Sequence, residues 1–500
     1  MAGVRVLLAA SEVSGFAKTG GLADVAASLP RALSHIGNQV AVVMPLYGAV
    51  RRSGAKLEKT GVAIPVPMGG RVLACPLLRT TLPNSDVPVY LVEHQPFFER
   101  DDGGKRSLYQ ESHAGGGKHD YPDNAERFIF FSRAVLETIP HLGFIPDVLH
   151  ANDWQTGLVP VYLGELRKTA AFNRIRSLFT VHNMAFQGDF GRDVMKSTGL
   201  PQRLFDTGQV EYAGKLNFLK AGIVFADAVN TVSPTYAREV RTPQFGCGLD
   251  ALLRDNAGKL SGIVNGVEYS EWNPATDHHL AAAYTPDTVF EKKPLCKADL
   301  QKAMKLPENA TAPLLGLVAR LAYQKGIDLV LSAAKGFLDM GCQIAVLGDG
   351  EPKYHHELRV LHERHPAQVG LHLGFNEALA HKVEAGSDLF LMPSRYEPCG
   401  LNQMYSQKYG TPPVVRATGG LADTVVNATE ENLKADRATG FTFDADTPSA
   451  LYDTVKWALQ LFRTRPADFR KVVSRAMAQD WSWDRSAAEY EALYRKLLSH

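Results

Sequence analysis

Short runs of apolar, often β-branched residues alternate along the chain with longer stretches whose apolar positions recur every three or four residues. Val4 to Ala9, Gln39 to Val43, Val87 to Val92, Val148 to His150 and Leu178 to Val181 read as strands, with helical patterns between them. That rhythm predicts an α/β fold built on a mostly parallel sheet. After Val229 to Ser233 and a glycine-rich stretch around Gln244 to Leu249, the rhythm restarts at Gly262 to Asn265. It continues through Leu314 to Val318, Gln343 to Leu347, Gly370 to Leu373, Asp388 to Met392 and Pro413 to Val415, which predicts a second doubly wound domain. Trp481 to Leu498 sets Ala487, Tyr490, Leu493, Tyr494 and Leu497 at helical spacing, so an amphipathic terminal helix is expected. Asp101 to Asp120, with five glycines and no periodicity, is expected to be a mobile loop.

Composition narrows the picture. The 500 residues are 45% hydrophobic and 21% charged, and at roughly 100 to 200 residues per domain they suggest at least two domains. Lys+Arg 54 against Asp+Glu 53 gives a net charge of +1. No global field therefore draws the chain to nucleic acid or to an anionic membrane, and an anionic ligand must be held locally. The five cysteines, Cys75, Cys247, Cys296, Cys342 and Cys399, lie far apart without a C-x-x-C pair. Neither a disulfide framework nor a zinc site is indicated, and a cytoplasmic, soluble protein is expected. His113 and His119 are expected to be solvated loop histidines rather than metal ligands. The N-terminus has no cleavage-type region, and no run approaches the ~18 to 20 apolar residues of a membrane span.

One hexapeptide, Thr-Gly-Gly-Leu-Ala-Asp, occurs twice, as Thr19–Asp24 and Thr418–Asp423, each time after a strand and before a helix. Paired glycines there let backbone approach a ligand, and a helix start offers unpaired N–H groups to an anion. Lys18 adds a point charge ahead of the first copy only. A plain Gly-Gly turn is the bland reading of either copy alone. G-x-G-x-x-G is absent after the first strand and G-K-[ST] is absent from both copies, which weakens dehydrogenase and P-loop readings.

Ligands of open parallel sheets sit at the carboxyl ends of strands. Polar residues in such places are Asn152-Asp153-Trp154, His182-Asn183, Asn265-Gly266, Arg320 with Lys325, and Glu397. Taken singly, Asp153 reads as a helix cap, His182 as a satisfied buried histidine, and Arg320 and Lys325 as solvated charges. Glu397-Pro398-Cys399-Gly400-Leu401-Asn402 is more specific, because a carboxylate precedes a glycine that opens a helix able to hold a diphosphate. Arg320 and Lys325 are the cations that can offset that carboxylate. The only D-x-D, Asp444-Ala445-Asp446, precedes Thr447-Pro448, which reads as a helix N-cap with proline in the first turn. No metal is therefore expected.

Together these residues closely resemble the bacterial glycogen synthases and plant starch synthases. The most specific segments are Lys18 to Val25, Val181 to Asn183 with Gln187-Gly188, Arg320 to Gly326, and Ser394 to Leu401 with Thr418 to Asp423. The resemblance implies the GT-B architecture, two doubly wound Rossmann-like α/β domains facing across a cleft. Residues 1–260 would form an acceptor-side domain, with the helix 478–500 packing back on it, and 261–477 the nucleotide-sugar domain. It implies transfer of glucose, with retained configuration, from ADP-glucose to the non-reducing end of an α-1,4-glucan. Glu397, Arg320, Lys325 and His182 would be catalytic. Lys18, Gly20, Gly21, Asp24, Asp153, Asn183, Asn265, Phe375, Cys399, Gly400, Leu401 and Asn402 would bind the donor, with Phe375 against the adenine. The partners are ADP-glucose and glycogen, with no nucleic acid, no membrane and no cofactor.

Tyr405 stands where related retaining enzymes carry a second glutamate, which favours this branch over sucrose- or trehalose-type enzymes. Asn152 stands where many bacterial members have histidine. A catalytically dead glucan-binding protein would be expected to lose Lys18, Arg320, Lys325 or Glu397, and all are present. A phosphorylase would need a lysine placed for pyridoxal phosphate, and none is convincing. Same-face attack through an oxocarbenium-like state is the expected route, with Arg320 and Lys325 stabilising the leaving phosphate. The two hexapeptides are expected to form facing walls of one interdomain cleft, with unequal duties.

Overall fold

The computed structural model describes residues 3–101, 107–112 and 118–499. The chain divides into two compact units. The first comprises residues 1–232, 237–266 and 483–500, the second 233–236 and 267–482.

The first unit is built on a sheet entered by β1 (Arg5–Ala9), β2 (Gln39–Pro45), β3 (Glu58–Met68), β4 (Arg71–Thr81) and β5 (Pro88–Val92). A two-stranded ribbon, β6 (Gln110–Ser112) with β7 (Lys118–Asp120), precedes β8 (Val148–Asn152) and β9 (Arg176–Val181). A small separate sheet of β10 (Asp189–Phe190), β11 (Glu211–Tyr212) and β12 (Lys215–Asn217) follows, and β13 (Ala228–Thr231) and β14 (Leu260–Gly262) complete the large one. Its order is β14-β13-β9-β8-β1-β2-β5-β4-β3, parallel from β14 to β5. All five residues of β8 are buried, as expected of a parallel strand covered on both faces. The sheet reverses direction of growth at β1, which lies between β2 and β8. A crevice at the carboxyl ends of β1 and β8 is where such a sheet takes ligands.

The β3–β4 hairpin at one edge has no counterpart in the sequence reading. Its strands are antiparallel, and the buried and exposed positions of β3 alternate. Gly69 and Gly70 join the strands with φ of 55° and 79°, the left-handed backbone that a two-residue hairpin turn requires.

Two further expectations are corrected. Gly262 does not open the second sheet, because β14 pairs in parallel with β13 at the edge of the first. Asp101–Asp120 is not one aperiodic loop, since Gln110–Ser112 and Lys118–Asp120 form paired strands. Its five glycines and His113 lie outside the described residues, and His119 is exposed.

The second unit carries β15 (Leu314–Leu321), β16 (Gln343–Gly350), β17 (Val369–Leu373), β18 (Leu389–Met392), β19 (Pro413–Arg416) and β20 (Phe441–Phe443). They lie in the order β17-β16-β15-β18-β19-β20 and are parallel throughout. This is a doubly wound sheet whose reversal falls between β15 and β18. Val330 and Phe337 of helix Ile327–Asp339 and Val455 and Leu459 of helix Pro448–Thr464 bury one face of it, with Val346, Leu389 and Val414.

Among the described residues, no helix is long and apolar enough to cross a membrane.

Candidate active site

In the first unit the predicted residues gather at the switch point. β1 runs into Ser11 and Glu12, and the chain returns through Lys18 to Gly21, where helix Gly21–His35 begins. Glu12 is buried, and the sequence reading missed it. It accepts the backbone N–H of Thr19, that of Gly20 at 3.2 Å and the Thr19 hydroxyl at 2.6 Å. Tyr109 donates to it from 2.7 Å. The amides of Thr19 and Gly20, just ahead of the helix, are therefore taken by the chain's own carboxylate. What the loop presents outward is Lys18, 2.7 Å from Asp24 and half exposed, and Gly20 and Gly21. A Cβ on either glycine would meet nothing within 4 Å.

At the ends of β8 and β9, Asp153 does not cap the turn Trp154–Thr156 with its side chain. Its carboxylate accepts the N–H of His182 at 2.7 Å. The backbone there has φ 57° and ψ 177°, a conformation that costs a non-glycine residue roughly 1–3 kcal/mol and recurs at functional sites. Burial pushes the Asp153 carboxyl up to about 7; Glu12's charge adds to the shift, while the amides of His182 and Asn183 oppose it. His182 is held neutral by burial, its value lowered to about 3. Asn152 Nδ2 donates to Ala9 O, so its Oδ1 faces His182 Nε2 at 3.0 Å. This puts the imidazole proton on Nε2 and leaves Nδ1 as an acceptor. Asn183 turns its oxygen onto the N–H of Ala185. Asn265 is buried, and its Oδ1 has no partner among the described residues.

In the second unit Arg320 is the penultimate residue of β15, and the turn Tyr323–Lys325 follows. Gly326 closes that turn at φ 68°, where a Cβ would stand 2.2 Å from Pro393 O. Only glycine lets the turn sit this close to the loop after β18. The consequence is a charge pair, Lys325 Nζ at 2.5 Å from Glu397 Oε2, with Ser394 Oγ donating to the same oxygen from 3.0 Å. Glu397 is 6% exposed. Exposed Arg320 donates to Gln324 at 2.9 Å.

Gly400 turns the chain at φ 73°, and Leu401 is the N-cap of helix Asn402–Lys408. Asn402 donates to Val318 O of β15 at 3.1 Å, and Cys399 is buried. Phe375 stands apart, 88% exposed after the edge strand β17.

The second hexapeptide does a different job from the first. A Cβ on Gly419 would lie 2.0 Å from Glu397 O, and one on Gly420 2.0 Å from Cys399 O. Gly420 N–H donates to Glu397 O at 3.1 Å, and Asp423 accepts the Thr235 hydroxyl at 2.6 Å. This copy is a buttress packed under the Glu397–Cys399 loop. One carboxylate of the D-x-D, that of Asp446, is likewise taken. Thr447 caps helix Pro448–Thr464, and Asp446 pairs with Arg395 at 3.0 Å.

Two Rossmann-like units, one of which sets a lysine–glutamate pair at the switch point of its sheet, define a glycosyltransferase of the GT-B class. Residues 5–255 match the family model for the starch synthase catalytic domain, and residues 300–471 that for glycosyl transferases group 1. The chain is 48% identical to the glycogen synthase of Anaeromyxobacter dehalogenans (strain 2CP-C), over 99% of this chain and 100% of the relative. It is 43% identical to that of Rhodopirellula baltica, over 99% and 98%. The catalytic domain of starch synthase IV from Arabidopsis thaliana, solved with ADP and acarbose bound, superposes with a TM-score of 0.88 at 31% identity, over 100% of both chains. The chain belongs to the glycogen synthase and starch synthase family and is a glucosyltransferase.

Proposed function

We propose that the enzyme transfers glucose from ADP-glucose to the non-reducing end of an α-1,4-glucan, with retention and without a metal, in the cytoplasm. The observation that carries the donor side is the Lys325–Glu397 pair at 2.5 Å at the carboxyl end of the second sheet. A diphosphate arriving there gives Lys325 a stronger anionic partner and frees Glu397 to accept sugar hydroxyls. Arg320 adds the second cation, and the charge that builds on the departing diphosphate is what both stabilise. Cys399, Gly400, Leu401 and Asn402 line the turn beside that pair, and Phe375 is offered to the adenine. In the first unit Lys18 with Gly20, Gly21 and Asp24, together with Asp153, His182, Asn183 and Asn265, offers groups that suit the sugar and diphosphate of a donor. Neutral His182 can hydrogen-bond a glucose hydroxyl without repelling an oxocarbenium-like centre. Asp446 is committed to Arg395, which supports a reaction neutralised by side-chain cations.

The bound ligands of the Arabidopsis relative, ADP and the glucan-like acarbose, support the choice of donor and acceptor. The test is incubation with glycogen and either ADP-glucose or UDP-glucose in the presence of a chelator, measuring released nucleotide. ADP release with lengthening of the glucan is expected. Release from UDP-glucose alone would overturn the donor, and activity lost to the chelator would overturn metal independence.

A further inference from the structure

Lys325 and Glu397 lie on different loops 72 residues apart, and something must set the 2.5 Å between them. The residue that spans both loops is Arg395. Its backbone N–H donates to Gln324 O at 2.8 Å. Nη1 donates to Tyr323 O at 2.8 Å and to Asp328 Oδ1 at 2.7 Å, Nη2 to Asp328 Oδ2 at 2.8 Å, and Nε to Asp446 Oδ2 at 3.0 Å. The guanidinium carbon lies 3.7 Å from the centre of the Tyr323 ring, close enough for a cation–π contact. Its own carbonyl accepts from Arg416 at 2.5 Å. Gln324 Nε2 completes the link by donating to Tyr396 O at 3.2 Å. The Arg395 side chain is 12% exposed, while Asp328 and Asp446 keep 31% and 39% of theirs open, so the guanidinium is the shielded centre of a network whose carboxylates reach water.

We propose that Arg395 is a positioning residue for glucosyl transfer. It clamps the Tyr323–Lys325 turn to the loop bearing Glu397, and Asp446 of the D-x-D serves as an anchor of that clamp. A lysine cannot replace it, because one ammonium cannot face Asp328 in two-point fashion while also reaching Asp446 and Tyr323 O. The inference rests on the reading of Lys325 and Glu397 as the donor-side pair.

The test compares Arg395→Ala, Arg395→Lys, Asp446→Ala, Lys325→Ala and the Arg395→Ala/Lys325→Ala double variant. The readouts are kcat, KM for ADP-glucose and melting temperature. Misplacing a catalytic group by about 1 Å can cost roughly 10²-fold. Arg395→Ala and Arg395→Lys are expected to lower kcat by about 10- to 100-fold, with a smaller change in KM. In the double variant, losing Arg395 should add less than about threefold to the loss caused by Lys325→Ala, because the two act as a unit. Wild-type kcat in Arg395→Lys, or fully multiplicative losses in the double variant, overturns the clamp while leaving the site reading intact. Normal kcat in Lys325→Ala overturns both. If Arg395→Ala melts early, Asp446→Ala decides, since it removes the Nε acceptor and keeps the Asp328 pair. A lower kcat at unchanged melting temperature supports the clamp, and an unchanged kcat overturns it.

Discussion

At the scale of single residues, the same dipeptide serves two ends, and substitution separates them. Alanine at Gly420 would push a methyl group to 2.0 Å from Cys399 O, and overpacking of this kind costs about 1–3 kcal/mol. Alanine at Gly20 or Gly21 meets nothing, so stability should stay within about 0.5 kcal/mol. Melting should therefore report a loss for Gly420→Ala, while Gly20→Ala and Gly21→Ala should keep their melting temperature and lose turnover. Asp153 makes a second prediction. Its folded value of about 7 stands above that of an unfolded aspartate. Between about pH 4 and 7 the folded chain therefore holds a proton that the unfolded chain has released, and stability from this group falls as pH rises through that window. The same ionisation should appear as a bend near pH 7 in kcat/KM, flattened in Asp153→Asn.

Among the elements, the terminal helix Trp483–Leu498 closes the first unit. Tyr494 Oη and Thr180 Oγ1 hold the two nitrogens of His150 at 2.8 Å each, and Tyr490 Oη accepts from Asn230 at 3.1 Å. A Cβ on Gly266 would lie 2.5 Å from Trp483 Cα, so the helix start fits against bare backbone. Burial lowers His150 to about 3, so it stays neutral in the fold while the unfolded residue gains a proton below about 6.5. Stability is lost as pH falls below that value, by about 2 kcal/mol at pH 5 from this one group. Denaturant titrations at pH 7 and pH 5 should show that loss, and His150→Gln should remove it.

The terminal helix and the parallel strands were legible in the sequence because buried strands and amphipathic helices carry their period openly. The β3–β4 hairpin escaped because its alternation, half solvated, breaks the α/β rhythm that organised the reading. The strand-end polar residues were legible for the same reason the sheets were. Glu12 was not, since a carboxylate soon after a strand reads as solvated until the backbone loop folds its Thr19 and Gly20 amides onto it and Tyr109, 97 residues later, adds a hydroxyl. Arg395 showed only as a letter in a motif, because its partners Asp328 and Asp446 are 67 and 51 residues away. The opposite duties of the two hexapeptides rest on what packs against each glycine, and identical letters conceal that.

In the molecule as a whole, one unit is interrupted by the other. The first unit needs residues 483–500, which follow the entire second unit in the chain. Truncation after Ser482 should therefore raise amide hydrogen exchange in β8 and β9 while β15 to β20 stay protected, a pattern readable by mass spectrometry. Equal loss of protection in both sheets would count against this division. On the ribosome the same arrangement sets an order of completion. His150 waits for Tyr494, 344 residues later, which at about 5–20 residues per second is roughly 20 to 70 s. During that interval the second unit can close while the older half of the nascent chain still shows an uncovered apolar strip. The half translated first is thus the half finished last, and chaperone demand during synthesis should fall on it.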